Sequence, residues 1–228
     1  MKAVLVRIGP VNDWVRTIAH HLRADPVLLS TERADLDPIL DRYAAEPVVL
    51  SCDVPALNAV VQRLVRREQA DAVALGWVAD TDRASRELAG ALGLPKRPTL
   101  AADIARDGTP RRIRMVRDDH GGVLLHRGTL TGAEGSLGAQ TYHDDQLIVD
   151  GPVRWIEVRP DPAADCAVTA RVAPAARLRR AAVSTGRSVQ TACAEGLITV
   201  DGVARERPVM KWTWYADPRQ HWVLRSPG

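Results

Sequence analysis

Apolar and polar positions divide the chain into two parts with different periodicities. Up to about residue 110, short unbroken apolar runs alternate with stretches whose apolar residues recur at helical spacing. Beyond that point, apolar and polar residues alternate, and Gly-Gly or Asp-Gly pairs separate the runs. The sequence therefore predicts an α/β domain with a parallel sheet over residues 1–110, followed by a mainly antiparallel β-sandwich domain over residues 111–228.

The stretch over residues 47–64 is the most informative part of the first domain. Residues 48–50 form an apolar run typical of a strand buried on both faces, and residues 51–55 form a turn. Apolar residues then follow at helical spacing, and Pro55 suits the first turn of that helix. A strand, an acidic turn and a helix together form the phosphate-side element of many nucleotide-binding α/β units.

A second strand–loop–helix unit follows in the same domain. A buried strand is predicted over residues 72–75, a loop over residues 76–80 and a helix over residues 81–92. Because the carboxyl ends of parallel strands meet at one edge of a sheet, both acidic turns are expected at that edge.

These turns resemble motifs of diacylglycerol kinases and the related NAD kinases. In that family the strand ends in Gly-Gly-Asp-Gly-Thr and the helix often begins Leu-Asn-Glu-Val-Val. This chain has Ser-Cys-Asp-Val-Pro over residues 51–55 and Leu-Asn-Ala-Val-Val over residues 57–61. The family's second loop corresponds to the region that ends at Asp82. Residues 162–167 resemble an acidic family segment, and residues 197–203 resemble the family strand that carries Asp-Gly-Glu.

The resemblance implies a fold and a set of site residues. It implies an α/β nucleotide domain followed by a β-sandwich, with ATP and Mg²⁺ as cofactors. It implies cofactor contacts at Asp53, Asn58, Gly76 and Asp82, and a catalytic carboxylate at Asp201.

The chain also departs from the family pattern at the phosphate loop. The three glycines and the Thr are replaced, and Val203 stands where the family has Glu. Glycine allows the positive φ and the close backbone approach that a phosphate cradle needs. We therefore expect a degraded ATP site and a protein that is not a competent kinase.

The acidic candidates each have a structural interpretation as well. Asp53 is placed to cap the helix that follows it, and Asp82 is placed as a first-turn acid facing a helix dipole. Asp201-Gly202 is a common hairpin turn. Sequence alone leaves both interpretations open for each residue.

Other residues carry weaker signals. His143 and Asp144 suggest a carboxylate-oriented base or a metal site, but no third spaced ligand is present, and no metal is assigned. Trp212 and Trp214 share one face of a strand, where they fill the core or line an apolar ligand cleft or interface. The arginines within residues 177–180 form a solvated face or meet an anionic partner.

Composition limits the classes of protein to which the chain can belong. The chain has 228 residues, 46% hydrophobic and 26% charged, which is ordinary for a soluble globular protein. A net charge of +3 does not indicate a nucleic-acid partner, and three scattered cysteines indicate neither disulfides nor a zinc site. The scattered cysteines favour a reducing cytoplasm as the location, and no apolar run is long enough to span a bilayer.

The combined expectation is a two-domain, diacylglycerol-kinase-like protein that binds a lipid or small molecule in the cleft between its domains. Two alternatives stay open: a divergent ATP-dependent lipid kinase, and a cleft recruited to other small-molecule chemistry. A homodimer is also left open.

Overall fold

A computed structural model describes residues 3–43, 46–161, 167–175 and 181–228. The chain divides into two compact units. The first contains the residues up to Ile113 together with Gln220–Gly228, and the second is Arg114–Arg219. The C-terminal segment was predicted to belong to the second domain. It lies in the first unit because Val223 and Leu224 pair with a strand there.

Strands and helices alternate along the first unit. They are β1 (Val4–Ile8), α1 (Asp13–Leu22), β2 (Pro26–Leu29), α2 (Arg33–Arg42), β3 (Val48–Cys52), α3 (Val54–Arg66), β4 (Ala74–Ala79), α4 (Arg83–Ala91) and α5 (Pro98–Asp107). The sheet order is β2-β1-β3-β4, and all of these neighbours are parallel. The last strand, β14 (Val209–Ser226), adds its C-terminal end to β4, also in parallel.

The apolar pattern explains why this unit folds as it does. Every residue of β3 is buried, as expected for a central strand covered on both faces. Helix α1 buries the stripe of Val15, Ile18 and Leu22, and Trp14 and Ala19 are partly buried beside it. Ile18 packs with Leu5 of β1 and Val49 of β3 in one core cluster. Packing of the helices against the strands holds the carboxyl ends of the strands together at one edge of the sheet.

Strand β4 is longer than its sequence pattern predicts. The predicted strand ends at residue 75, but the structure continues it to Ala79. Gly76, Trp77 and Val78 are buried and pair with β3, so they are strand and not loop. A glycine followed by a bulky aromatic was interpreted as a loop because neither residue fits the short apolar run before it.

The second unit consists of strands and turns in its described residues. Its strands are β5 (Thr109–Asp118, which begins in the first unit), β6 (Val123–Leu124), β7 (Gly128–Gly132), β8 (Leu137–His143), β9 (Gln146–Asp161), β10 (Ala167–Pro174), β11 (Ala182–Gly186), β12 (Ser188–Val200), β13 (Val203–Ala204) and most of β14. Their pairings within the unit are antiparallel, as predicted. These pairings join the strands into one continuous hydrogen-bonded sheet.

Tryptophan fills the core of the second unit. Trp212 and Trp214 are 0% and 1% exposed, and they pack with Leu130 and Ile156. Their rings meet edge to face with centroids 5.8 Å apart, a favourable aromatic geometry. The core interpretation of this pair therefore agrees with the structure.

In the described part of the chain, we find no helix with the length and apolar character needed to cross a bilayer.

Candidate functional site

A buried arginine joins three strand ends at the carboxyl edge of the parallel sheet. Arg7, near the end of β1, is 1% exposed. Its Nη2 donates to Asp80 Oδ2 at 2.8 Å, just beyond β4. Its Nη1 donates to the carbonyl and the hydroxyl of Ser51 on β3, at 3.3 and 3.4 Å, and its Nε donates to the carbonyl of Pro10. Arg7 therefore ties together β1, β3 and the loop after β4.

The ion pair between Arg7 and Asp80 leaves one polar atom without a partner. An unpaired buried charge costs several kcal/mol, so burial of Arg7 depends on the carboxylate of Asp80. Asp80 Oδ1 is also buried, but no described residue donates a hydrogen bond to it. The site therefore contains a buried acceptor that a further donor would satisfy.

Neither Arg7 nor Asp80 was predicted as a site residue. The available signal was a charged residue inside an otherwise apolar strand, over Val4–Ile8. A charge at such a position is buried with a partner far more often than alone. The partner lies 73 residues away in sequence, so no local pattern identifies it.

Two of the predicted cofactor residues are helix caps. Asp53 Oδ1 accepts a hydrogen bond from the backbone N–H of Ala56 at 3.0 Å and caps α3. Asp82 Oδ1 accepts from the backbone N–H of Ser85 at 3.0 Å and caps α4. Each carboxylate thus satisfies an orphan donor of its own helix. Both residues are therefore helix caps, and their contact with a cofactor stays a prediction.

The other two predicted cofactor residues lie deeper in the first unit. Asn58 is part-buried in the second turn of α3. Gly76 lies within β4, where a Cβ atom would be 1.9 Å from the carbonyl oxygen of Ala105 in α5. Glycine is therefore required at position 76 for the close packing of α5 on the sheet, and Gly76 is not in the loop where it was predicted.

Asp201 belongs to the second unit, where its side chain accepts hydrogen bonds from several backbone N–H groups. The residue is 3% exposed, and its backbone φ is 51°. Its Oδ1 accepts from the backbone N–H groups of His126 and Arg127, and its Oδ2 accepts from Leu125, all at 2.8–2.9 Å. With Gly202 it forms the two-residue turn between β12 and β13. The predicted hairpin is present, and the catalytic role stays a prediction.

The histidine candidate also lies in the second unit. His143 Nδ1 is 2.6 Å from Ser184 Oγ. Burial lowers the pKa of His143, and the neighbouring charge of Asp144 opposes that shift. The Asp144 carboxylate accepts hydrogen bonds from the backbone N–H groups of Arg187 and Ser188. Asp144 therefore holds the start of β12. In the described ranges, no three His, Cys, Asp or Glu side chains gather as metal ligands.

A cavity of about 210 Å³ lies beside the Arg7–Asp80 pair in the first unit. Asp80 lines it together with Trp14, at the start of α1. Its apolar walls come from β4, α4, α5 and the segment between the helices, through Trp77, Ala79, Ala89, Leu94, Pro95 and Ala101. An apolar cavity with a few polar groups at the carboxyl ends of parallel strands is the usual form of a ligand site in α/β proteins.

Two predicted features lie outside the described residues. They are the acidic segment over residues 162–166 and the arginines within residues 177–180.

No protein-family model and no curated protein sequence matches the chain. Solved structures do match it. A diacylglycerol kinase from Bacillus anthracis superposes with a TM-score of 0.68 at 9% identity, covering 98% of this chain and 96% of that one. The chain has a diacylglycerol-kinase-like fold. An NAD kinase from Archaeoglobus fulgidus, solved in complex with ATP, has the same kinase-like fold, with a TM-score of 0.61, 11% identity, and coverage of 98% and 93%.

Proposed function

We propose that this kinase-fold protein binds a small organic molecule in the cavity of its first unit and does not transfer phosphate from ATP. The single observation that carries the proposal is the cavity of about 210 Å³, which has apolar walls and three charged lining residues, Asp80, Arg86 and Lys96. The ligand was predicted to lie in the cleft between the two domains. The cavity within the first unit offers a more specific location.

The backbone after β3 argues against a triphosphate cradle. The kinase resemblance would require a glycine turn over residues 51–55. Strand β3 instead runs to Cys52, Asp53 is the cap, and α3 begins at Val54. Val54 and Pro55 lack the backbone freedom of glycine, and Pro55 has no N–H to donate to a phosphate. The turn therefore does not fit the phosphates of a bound ATP, whereas the Asp53 carboxylate is a ligand type that Mg²⁺ accepts.

Donors at the same strand end are already used by the protein. Arg7 donates to the carbonyl of Ser51, and Trp77 Nε1 and the backbone N–H of Asp80 donate to the carbonyl of Cys52 at 3.1 and 3.2 Å. Phosphoryl transfer depends on positioning and charge neutralisation, so the engagement of these donors supports loss of that activity.

The second unit gives further support. Val203 occupies the position where the family resemblance expects Glu, and it is exposed on the short strand β13. A valine cannot accept a proton from an acceptor hydroxyl, and loss of a general base typically costs about 10²–10⁴ in rate.

A divergent kinase is the second candidate function. It is favoured by the match of both solved kinase structures over 98% of the chain. It requires another residue to replace the missing base, and Glu206 and Glu195 are the nearest glutamates in sequence.

Native mass spectrometry of freshly purified protein tests the proposed binding. We expect a co-purified mass of a small organic molecule that disappears in Gly90→Leu. Gly90 lines the cavity, and a Cβ atom there would meet nothing within 4 Å, so a leucine is expected to fill the space without a clash. The matched control is Gly138→Leu, at an equally open position in the second unit. A ligand retained equally by both variants would place it elsewhere and overturn the proposal.

A further inference from the structure

The residues that line the cavity differ in chemistry according to their exposure. Four buried members of the lining are apolar, and they are Trp77, Ala89, Leu94 and Ala101. Two exposed members, Arg86 and Lys96, are cationic. A cavity that is apolar where it is buried and charged where it is exposed suits a ligand with an apolar part and a charged part.

The charged side of the cavity favours an anion. Neither Arg86 nor Lys96 forms an ion pair with a residue that the structure describes. The third charged lining residue, Asp80, is bonded to Arg7 at 2.8 Å, so its negative charge is already compensated. The exposed side of the lining is therefore net positive, and a ligand that places a negative charge there is attracted.

The volume of the cavity limits the apolar part of the ligand. An engineered apolar cavity of about 150 Å³ in another protein binds benzene, a six-carbon ring. By proportion, a cavity of about 210 Å³ holds roughly eight carbon atoms. The lining includes Gly90, where even a Cβ atom would meet nothing within 4 Å. The open space beside α4 is thus large enough for a short hydrocarbon chain.

We infer that the cavity binds a carboxylic acid with an apolar tail, about eight carbon atoms in all. The tail lies against Trp77 and the small residues of α4 and α5, and the carboxylate faces Arg86 and Lys96. This inference rests on the proposed function, because it names the ligand class of the same cavity.

Isothermal titration calorimetry with a straight-chain series tests the tail. The probes are butanoate, hexanoate, octanoate and dodecanoate. We expect the affinity to rise about fourfold for each added methylene as far as octanoate, because burial of one CH₂ contributes about that factor. Beyond octanoate we expect little further gain, because the added carbons no longer fit inside. Affinity that does not depend on chain length, or that rises unchanged to dodecanoate, overturns the inference.

Two further probes of the same length test the charge. They are 1-octanol, which is neutral, and octylamine, which is cationic. We expect octanoate to bind about fivefold more tightly than 1-octanol, because each of two exposed cations contributes the modest amount of a surface ion pair. Octylamine is expected to bind more weakly than 1-octanol, because the cations repel it. Binding of 1-octanol or octylamine as tight as that of octanoate overturns the inference.

Matched variants assign the contact of the carboxylate. Arg86→Gln and Lys96→Gln each remove one exposed cation of the lining, and each should weaken octanoate binding about twofold while leaving 1-octanol unchanged. The controls Arg83→Gln, on the same helix as Arg86, and Arg97→Gln, beside Lys96, remove exposed cations that do not line the cavity. Both controls should keep the affinity for octanoate. Equal losses in lining and control variants would show attraction by the overall charge and would contradict the assignment.

The outcomes separate this inference from the proposed function. If 1-octanol binds as tightly as octanoate and both are lost in Gly90→Leu, the anionic class is wrong and the proposed function stands. If no probe binds, the inference is wrong, and the proposed function then depends on the co-purified molecule found by native mass spectrometry.

Discussion

Asp201 offers a direct way to separate a structural carboxylate from a catalytic one. The family resemblance gives it a catalytic role, whereas the structure shows its carboxylate accepting three backbone hydrogen bonds from residues 125–127. The substitution Asp201→Asn keeps the shape of the side chain and tolerates the same positive φ, since asparagine adopts the left-handed region readily. It therefore changes the hydrogen bonding and charge without straining the turn.

The size of the effect follows from the individual contacts. Asparagine can keep its oxygen toward His126 and Arg127, but its NH₂ group then faces the N–H of Leu125. Hydrogen bonds to charged groups contribute about 1.5–3 kcal/mol each, and neutralising the acceptor weakens the two that remain. We expect a local loss of about 2–4 kcal/mol, which corresponds to roughly 30- to 700-fold faster amide exchange.

Hydrogen exchange followed by NMR is the appropriate assay, because a chain with two compact units need not unfold in one step. Faster exchange is expected at the amides of residues 125–127 in Asp201→Asn. The control Asp145→Asn changes an exposed acid in another turn and should leave those amides unchanged. Unchanged protection in Asp201→Asn, together with loss of a measured phosphotransfer activity, would refute the structural role and favour the catalytic one.

Three further predictions concern packing, pH and thiol reactivity. Gly76→Ala should lower the free energy of unfolding, measured in urea, by about 3 kcal/mol, because its Cβ would be 1.9 Å from the carbonyl oxygen of Ala105. Gly90→Ala should have a small or stabilising effect, because a Cβ there meets nothing within 4 Å. Burial lowers the pKa of His143 from 6.5, so its contribution to stability is complete above that pH and is lost as the pH falls through 6.5 toward the folded pKa. Thermal melting of His143→Gln should therefore depend less on pH between about 7.5 and about 5, and an unchanged slope would contradict this. Burial raises the pKa of the Cys52 thiol, so peptide mapping after iodoacetamide treatment of the native protein should find Cys52 unmodified.

The sequence predicts the broad architecture because the spacing of its apolar residues indicates which side chains are buried. The apolar run of β3 and the helical stripe of α3 identify a strand–turn–helix unit from residue types and their spacing alone. The alternation beyond residue 110 likewise predicts antiparallel strands. Strand β4 was placed too short because Gly76 and Trp77 are unusual in a central strand. Glycine is needed at position 76 because α5 packs closely there, a contact remote in sequence.

The candidate site was less predictable than the fold. Asp53, Asp82 and Asp201 attracted attention as acids in turns, and the structure shows each of them bonded to backbone N–H groups. The cavity lies instead beside the Arg7–Asp80 pair, which joins β1 to the loop after β4 across the intervening strand β3. Hydrogen bonds within a turn join residues that are close in sequence, so they can be predicted from it. An ion pair between the ends of two strands can be predicted only when the order of the strands in the sheet is known.

We propose that the chain keeps a kinase-like fold without phosphoryl transfer. A radiolabelled-ATP assay with Mg²⁺ over mixed diacylglycerols and NAD tests it most directly. We predict incorporation no higher than in a reaction without protein. Turnover well above that background, abolished by Asp53→Asn in a variant that keeps its thermal stability, would contradict the claim and identify a divergent kinase.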